Sequence, residues 1–317
     1  MKRIISIFIC VLCFANTLLA QEIPAFKIVP LGVKGGIDET NLSAYMVAPI
    51  KTNDFICLDA GTLYAGIEKA VNNKVFNTST SHVLRNYIKG YFISHAHLDH
   101  VSGLIINSPA DSSKTVYATQ KCMTMMQNHY FNGETWANFG DEGPGDHIKR
   151  YHFETLNTLQ EIAITNTDMF VTAFPLSHVS PFESTAFLIR QNDDYILYLG
   201  DTGPDEIEHS TNLKALWTTI TPLIKKKRLR AMFIEVSFPN EQADSALYGH
   251  LTPNWFYKEF KVLQQLTGEK ALIGFKTIIT HQKPPEENTI KIKAQLEKQN
   301  NLGLDLIFPE QGVSLEF

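Results

Sequence analysis

Residues 95–100 read HAHLDH, so three histidines and one aspartate fall within six positions. Imidazole nitrogens bind zinc and similar transition metals, and carboxylate oxygens bind zinc as well as harder cations. In the pattern His-x-His, the two rings can meet one metal ion from a tight turn, which leaves Asp99 and His100 to face a second ion. The pattern therefore predicts a metal site whose remaining ligands come from elsewhere in the chain.

Further candidate ligands follow apolar runs that are typical of buried strands. The predicted strands cover residues 55–58, 91–93, 169–174, 195–199, 232–236 and 277–279. The polar residues at or just past the ends of these runs are Asp59, His95, His178, Asp201 and His281. Because strand ends in layered α/β folds form the crevice where ligands bind, we expect these side chains to converge on one site.

The histidine motif and six further segments resemble a known enzyme family. HAHLDH resembles the signature of the metallo-β-lactamase fold, and the run at residues 95–110, HAHLDHVSGLIINSPA, resembles that of class II cyclic nucleotide phosphodiesterases. The further segments occur in the order that such enzymes show: WANF (136–139), PLSH (175–178), GDTGPD (200–205), EVSFPN (235–240), GHLTP (249–253) and THQKP (280–284). The resemblance extends over about residues 26–317.

The resemblance implies an α/β fold, a metallo-β-lactamase-like αββα sandwich in which two mixed β-sheets are flanked by helices, with an inserted cap region. It also implies a hydrolase that cleaves 3′,5′-cyclic nucleotides, cyclic AMP or cyclic GMP or both, to 5′-nucleotides by a metal-activated hydroxide. Helical patterns occupy about residues 63–75 and 253–267. Thr252 and Pro253 are suited to the N-cap and the first position of the second helix.

The same resemblance implies ligands for two divalent metal ions. Zinc is the favoured identity, with manganese, iron and magnesium as alternatives. The implied ligands are three residues for the first ion, three for the second and one bridge: His95, His97 and His178; Asp99, His100 and His281; and Asp201.

Other residues have implied roles around these metals. Asp59 and Glu235 would support the ligands through hydrogen bonds. Asp99 would also orient the attacking hydroxide, and His250 would face the phosphate and protonate the leaving O3′. Because this chemistry needs no serine nucleophile, Ser94 beside the first histidine is interpreted as a backbone-capping or packing residue.

Residues 107–152 are rich in Asn, Gly, Pro, Tyr and Trp, and they predict an inserted loop or small helical cap. Long ordered loops in compact domains are often functional, so this region is expected to form a wall of the substrate pocket. The candidate pocket residues are Asn132, Trp136, Asn138 and Phe139, with His129 and His152 as further histidines that could line the cap. Ala137 stands where the resemblance leads us to expect proline.

Two other classes of function stay open at this point. Another metallo-β-lactamase-fold hydrolase, acting on a different phosphodiester, a lactone, a lactam or a thioester, would need no phosphate-facing His250. A non-catalytic nucleotide- or metal-binding protein would be expected to lack Asp99 or Asp201. The chain carries 33 acidic and 28 basic residues, a formal net charge of −5, which disfavours a nucleic-acid polymer as partner. We expect a small-molecule substrate, and a homodimer stays an open expectation.

The first 20 residues have the pattern of a secretory signal peptide. Lys2 and Arg3 precede the apolar run of residues 4–14, and Ala20 marks a cleavage point. An N-terminal membrane anchor is the alternative, but the run is short beside the roughly 20 apolar residues of a span. We expect an exported protein, periplasmic or secreted, whose mature part, residues 21–317, is one domain without a membrane span. It keeps Cys57 and Cys122, whose pairing the sequence leaves open.

Export should therefore remove the N-terminal segment. Mass spectrometry of the protein purified from its native source is expected to show the loss of about 20 residues. An intact Met1 on exported protein, or retention of the protein in the cytoplasm, would contradict the assignment of a signal peptide.

Overall fold

The apolar runs form the strands of two β-sheets that pack face to face. The computed structural model describes residues 23–180 and 182–317. The predicted signal peptide, residues 1–20, lies outside the described residues. The strands are β1 (Phe26–Gly32), β2 (Ala44–Pro49), β3 (Phe55–Leu58), β4 (Ile88–Phe92), β5 (Lys114–Thr119), β6 (Asn138–Gly140), β7 (His147–Leu156), β8 (Glu161–Ala163), β9 (Phe170–Ser177), β10 (Glu183–Gln191), β11 (Asp194–Leu199), β12 (Leu229–Glu235), β13 (Lys276–Thr280), β14 (Asp305–Ile307) and β15 (Leu315–Glu316).

Helices cover the outer faces of both sheets. They are α1 (Tyr64–Asn72), α2 (Thr80–His82), α3 (Leu98–Asn107), α4 (Gln120–His129), α5 (Asp205–Glu208), α6 (Asn212–Lys225), α7 (Pro253–Thr267) and α8 (Glu286–Gln299). A π-helical turn, Val83–Tyr87, continues α2, and a 3₁₀ turn covers Asp244–Ala246. Among the described residues, no helix is both long and apolar enough to cross a membrane.

Both sheets mix parallel and antiparallel strands, which confirms the predicted sandwich. In the described residues, the first sheet has the order β15-β1-β2-β3-β4-β5-β7-β6 and the second has the order β14-β13-β12-β11-β10-β9-β8. The pairs β1–β2 and β2–β3 are antiparallel, whereas β3–β4 and β4–β5 are parallel. The second sheet runs from antiparallel β9–β10–β11 to parallel β11–β12–β13–β14.

The side-chain alternation of the central strands creates the layers. In β12, Ala231 and Phe233 join the core between the two sheets, whereas Met232 and Ile234 join the core under α6, α7 and α8. A third core lies between the first sheet and α1, α3 and α4. The central strands are buried on both faces, so their side chains contribute to two cores. Each large apolar side chain that is fully buried contributes about 1.5–3 kcal/mol to stability.

The stretch 107–152 contains more regular structure than a loop or cap. It holds β5 and most of β7, which pair with each other inside the first sheet, and α4, which packs on that sheet. In β7, Tyr151 and Phe153 are buried, but charged and polar residues dominate the strand and hide its apolar face in the sequence. The irregular part of the stretch is the glycine-rich segment of residues 130–146 around β6.

The helix predicted at 253–267 matches α7, and Thr252 caps it because its Oγ accepts a hydrogen bond from Trp255 N at 3.5 Å. The histidine motif differs from the predicted tight turn, because α3 begins at Leu98. Asp99 and His100 therefore lie in the first helical turn, whereas His95 and His97 lie in the preceding loop.

Candidate metal centre

Strand ends of both sheets meet at one edge of the sandwich. Asp59 and His95 follow β3 and β4 of the first sheet, whereas His178, Asp201 and His281 follow β9, β11 and β13 of the second. The structure thus brings the seven predicted ligand residues together. Those within ligand distance of one another form two groups. The first is His95–His97–His178, the second is Asp99–His100–His281, and Asp201 lies with His95 and His100 between them. His250 is also within ligand distance of His178 and Asp201, and of Glu235 and His281.

In the first group, three imidazole nitrogens converge. His97 Nδ1 lies 3.0 Å from His95 Nε2 and 3.3 Å from His178 Nε2. The other ring nitrogen of His178 lies 2.9 Å from the carbonyl oxygen of Gly249, to which it donates. Since that contact fixes the proton on Nδ1, the lone pair of His178 Nε2 points at the other two rings. A cation is the partner that such converging lone pairs fit.

The second group places carboxylate oxygens between imidazoles. Asp99 Oδ2 lies 3.1 Å from His281 Nε2. Asp201 Oδ2 lies 3.3 Å from Nε2 of both His100 and His281. The same oxygen is 3.7 Å from Nε2 of His95 and 3.9 Å from that of His178. One oxygen of Asp201 therefore faces both groups.

Asp59 is a fully buried carboxylate that orients one imidazole in each group. It accepts hydrogen bonds from Ser94 N at 2.7 Å, Ser94 Oγ at 2.8 Å, His100 Nδ1 at 2.7 Å and Tyr198 Oη at 2.7 Å. Because the Ser94 hydroxyl donates to Asp59, it accepts from His95 Nδ1 at 3.0 Å. Both rings therefore carry their proton on Nδ1 and aim Nε2 into the site.

Ser94 and Tyr198 were not recognised from the sequence as parts of this site. The sequence predicts a capping or packing role for Ser94, whereas in the structure its hydroxyl links His95 to Asp59. Its position beside the histidine motif was the available signal. Tyr198 is one of many aromatic residues in the strands, and nothing in its neighbourhood distinguishes it from a core residue.

Glu235 is the corresponding buried carboxylate of the second sheet. It accepts from Ser237 Oγ at 2.7 Å and from His250 Nδ1 at 2.8 Å. Ser237 Oγ in turn lies 2.9 Å from His281 Nδ1, so its oxygen accepts the proton of that ring. Gly35 packs so tightly on His281 that a Cβ would come within 2.2 Å of Cε1. These contacts fix the plane of the His281 ring and direct its Nε2 toward Asp99 and Asp201.

The electrostatics of the cluster favour ionised carboxylates and a positive charge between them. Burial alone would raise the pKa of Asp201, but His281 and His100 outweigh this effect and hold it well below its usual range. Burial lowers the pKa of His178 to about 4, so that ring is neutral at pH 7. Burial also tends to lower the pKa of His100, yet the nearby carboxylates of Asp201 and Asp59 outweigh burial and raise this pKa well above its usual value.

The buried Nε2 of His100 supplies the test of fit to a metal ion. Among the described residues it has no hydrogen-bond partner, although Asp201 Oδ2 lies nearby. An unpartnered buried imidazole nitrogen beside a carboxylate is unfavourable without a cation. The donor set of imidazole nitrogens and carboxylate oxygens therefore fits divalent metal ions.

His250 lies beside the two groups, against the ring of His281. The two rings stack with centroids 5.3 Å apart, and His250 Nε2 lies 2.8 Å from Lys283 Nζ. Tyr248 and Gly249 have φ values of 53° and 76°, a left-handed turn that delivers His250 into the site. A Cβ on Gly249 would lie 2.6 Å from His178 Nδ1, so glycine permits this close approach.

A cavity of about 230 Å³ opens next to His95 and His97. Its remaining lining residues come from the N-terminal region of β10 and from α4 with its C-terminal end: Lys121, Cys122, Met125, His129, Tyr130, Phe182 and Glu183, together with Ala96. Phe182 meets the ring of His97 edge-on, with centroids 4.9 Å apart. Tyr130 Oη donates to the carbonyl oxygen of Ala96 at 2.8 Å and so supports the loop between the two histidines. Cys122 is unpaired, as is Cys57.

The structure does not place the four predicted pocket residues in this cavity. Asn138 is buried and donates to the carbonyl oxygens of Glu142 and Pro144, so it holds the glycine-rich turn. Trp136 donates from Nε1 to Ser108 Oγ at 3.0 Å.

The other two also make local contacts. Asn132 accepts hydrogen bonds from the backbone of the next turn, and Phe139 lies under the guanidinium of Arg150. Of the two histidines considered for the cap, His129 lines the cavity, whereas His152 contacts Asp141 at the surface.

Comparison with known proteins agrees with this geometry. A family model described as cAMP phosphodiesterases class-II matches residues 25–312. A 3′,5′-cyclic-nucleotide phosphodiesterase of Aliivibrio fischeri is 38% identical over 100% of this chain and 99% of its own length. A probable 3′,5′-cyclic-nucleotide phosphodiesterase of Yersinia pestis is 38% identical over 92% of this chain and 90% of its own.

Solved structures show the same fold. The crystal structure of unliganded yeast PDE1 matches with a TM-score of 0.83 at 23% identity, covering 93% of this chain and 100% of that one. The metallo-beta-lactamase fold protein YhfI from Bacillus subtilis matches with a TM-score of 0.60 at 14% identity, covering 92% of this chain and 99% of that one.

Proposed function

Because this chain belongs to the class II cyclic nucleotide phosphodiesterases, which hydrolyse 3′,5′-cyclic nucleotides, we propose that it converts cyclic AMP, cyclic GMP or both to the 5′-nucleotide with two divalent metal ions. The observation that carries this proposal is the convergence of two sets of ligand atoms around Asp201 Oδ2.

The arrangement of ligands supports two ions. His95, His97 and His178 would hold the first ion, and Asp99, His100 and His281 would hold the second. Asp201 Oδ2 lies between the two sets and would bridge them.

The charge of the site also supports two metal ions. Four carboxylates belong to it, those of Asp59, Asp99, Asp201 and Glu235, and together they carry a charge of −4. Two divalent cations carry +4, so they neutralise these groups, which are costly to bury as unpaired charges.

The donor atoms favour zinc. Five imidazole nitrogens and two aspartates match the nitrogen and oxygen ligands of zinc; imidazole also suits iron, whereas manganese is better suited by carboxylate oxygens. Magnesium prefers oxygen ligands, which makes it the least suited of the four candidates.

Replacement of Asp201 tests the bridge. Asp201→Ala should lower the occupancy of both metal sites, because one oxygen serves both sets of ligands. Asp59→Ala should weaken metal binding or activity by about 10–100-fold, since it removes the group that orients His95 and His100. Elemental analysis and metal titration measure both effects.

Asp111→Asn is the matched control for this experiment. Asp111 is also a buried carboxylate, and it accepts hydrogen bonds from Tyr91 Oη at 2.7 Å and Tyr151 Oη at 2.9 Å, away from the cluster. The Asp111→Asn variant should be less stable than the wild type and should keep its metal ions. One metal per wild-type chain, or full occupancy in Asp201→Ala, would refute the two-ion assignment.

The residues of the site divide the catalytic tasks among them. Divalent cations at these positions lower the pKa of water toward neutrality and neutralise charge on the phosphate oxygens. Burial would raise the pKa of Asp99, but His100 and His281 outweigh it and hold the pKa well below the usual range, so Asp99 is ionised. Its Oδ2 accepts from Gly36 N at 2.9 Å, and its second oxygen can orient the attacking water toward phosphorus.

The nucleotide base would occupy the cavity beside His95 and His97. The aromatic side chains of Tyr130 and Phe182 and the thioether of Met125 provide apolar contact surface there. Lys121 and Glu183, which form an ion pair at 2.9 Å, line the same cavity, and their polar groups can form hydrogen bonds with the edge of a base.

His250 is suited to protonate the leaving O3′. Its Nδ1 donates to the buried carboxylate of Glu235, which orients the ring and leaves Nε2 as the nitrogen that would deliver the proton. The seven residues assigned as ligands do not include His250, although it lies within ligand distance of His178 and Asp201.

His250→Ala should keep both metals and the fold, and it should lose about 10²–10⁴-fold in turnover of a cyclic nucleotide. The loss should shrink on a nitrophenyl phosphodiester, whose leaving group needs no proton. His82→Ala, an exposed histidine on α2, is the control that should leave both rates unchanged. Equal losses on both substrates would indicate a phosphate contact in place of an acid, and normal turnover on both would remove His250 from the reaction.

Turnover by the metal-replete mature protein tests the proposed substrate. Cyclic AMP, cyclic GMP or both should give the 5′-nucleotide, with kcat/KM in the usual enzymatic range of about 10⁴–10⁸ M⁻¹s⁻¹. A linear diester should react more slowly, because it lacks the ring that fits between the cavity and His250. Hydrolysis of a lactone, lactam or thioester with no turnover of either cyclic nucleotide would overturn the proposal.

A further inference from the structure

Lys283 places an ammonium group on the His250 side of the site. Its Nζ lies 2.8 Å from His250 Nε2 and 5.4 Å from the ring centroid of Phe238. Its backbone N–H donates to the carbonyl oxygen of Ser237 at 3.2 Å, which fixes the start of the side chain two residues after His281. The cavity for the base lies at His95 and His97, so the site has an apolar end and a cationic end.

The charge of this ammonium group has no partner of opposite sign. Among the described residues, no carboxylate forms an ion pair with Lys283, and its polar contact is the imidazole of His250. Since His250 Nδ1 donates to Glu235, Nε2 accepts from Lys283 as a neutral lone pair. A half-buried cation held only by a neutral nitrogen and an aromatic ring is placed to receive an anion.

We propose that Lys283 binds the phosphate group of the substrate on the side away from the metal ligands. This inference rests on the proposed function, because it takes a phosphodiester as the anion. Lys283 carries +1 and has no carboxylate partner among the described residues, and a cyclic nucleotide carries −1 on its phosphodiester, so the two charges can pair.

The contact with His250 gives Lys283 a second consequence. When the ammonium group turns from His250 Nε2 to a phosphate oxygen, the lone pair of Nε2 is released. It can then take a proton from solvent and deliver that proton to the leaving O3′. Binding of the phosphate and the release of His250 Nε2 are therefore coupled through one hydrogen bond of 2.8 Å.

The test compares Lys283→Met, which removes the charge, with Lys283→Arg, which keeps it. KM for cyclic AMP, and binding of inorganic phosphate to the metal-replete protein by calorimetry, should both weaken by about 10–100-fold in Lys283→Met, because a charge-assisted hydrogen bond is lost. Lys283→Arg should restore part of the loss in KM and part of the loss in phosphate affinity. Lys258→Met is the matched control, since Lys258 also lies over an aromatic ring, that of Trp255 at 3.7 Å, but contacts Glu206 at the surface.

The outcomes separate this role from a structural one. Wild-type phosphate affinity and KM in Lys283→Met, with a lower kcat alone, would mean that Lys283 only positions His250, and this would overturn the proposal. If Lys283→Met loses metal, Lys283→Gln replaces it as the test variant. A phosphate affinity of Lys283→Gln equal to that of the wild type would also overturn the proposal. A wild-type protein that binds phosphate through Lys283 without hydrolysing cyclic nucleotides would refute the proposed function and leave this inference standing.

Discussion

Two fully buried carboxylates, Asp59 and Glu235, impose the constraint on which the rest of the site depends. An ionised carboxylate is costly to bury, and each of these groups is satisfied by several donors. Asp59 takes its donors from Ser94, His100 and Tyr198, and Glu235 takes them chiefly from Ser237 and His250. Directly or through a serine hydroxyl, these acids orient His95, His100 and His281, whose Nε2 atoms face the metal centre. The orientation of these three ligands is therefore a consequence of how two buried acids are compensated.

The site and the sandwich form together, because neither sheet carries a complete set of ligands. Asp59 and His100 belong to the side of the first sheet, yet Tyr198 of β11 closes the hydrogen bonds of Asp59 from the second. Asp201, from the end of β11, contacts His100 across the same boundary. Packing between the sheets, where Phe92 and Phe187 meet with ring centroids 5.6 Å apart, thus sets the distances between ligands. A protein that packs its inter-sheet core loosely would also lose the alignment of the site.

The sequence predicted the parts of this arrangement that depend on residue type and local pattern. The ends of buried strands at Asp59, Asp201 and His281 were visible because apolar runs stop there, and β3 agrees with the predicted bounds. Tyr198 and Lys283 were not predicted because their partners lie far away in the chain, and only the fold brings them together. Ser94 adjoins His95, but its other partner, Asp59, lies 35 residues away. The cavity was not predicted from the sequence for the same reason, since α4 and Phe182, which both line it, are distant in the chain. The strand β7 was missed because polar residues on its exposed side obscured the alternation, and β5 was missed because its buried run includes the polar residues Lys114 and Thr115.

The left-handed backbone at Asp59 and His281, with φ of 54° and 55°, limits how this site could be redesigned for another metal. Aspartate and histidine are among the few residues with side chains that are enriched in this conformation, whereas glutamate and cysteine are not. Replacement of His281 by glutamate or cysteine would thus add about 1–2 kcal/mol of backbone strain to any change in coordination. Laboratory evolution of metal preference has easier routes through the neighbours that hold the rings, such as Ser94 and Ser237, which tune the site without occupying the strained positions.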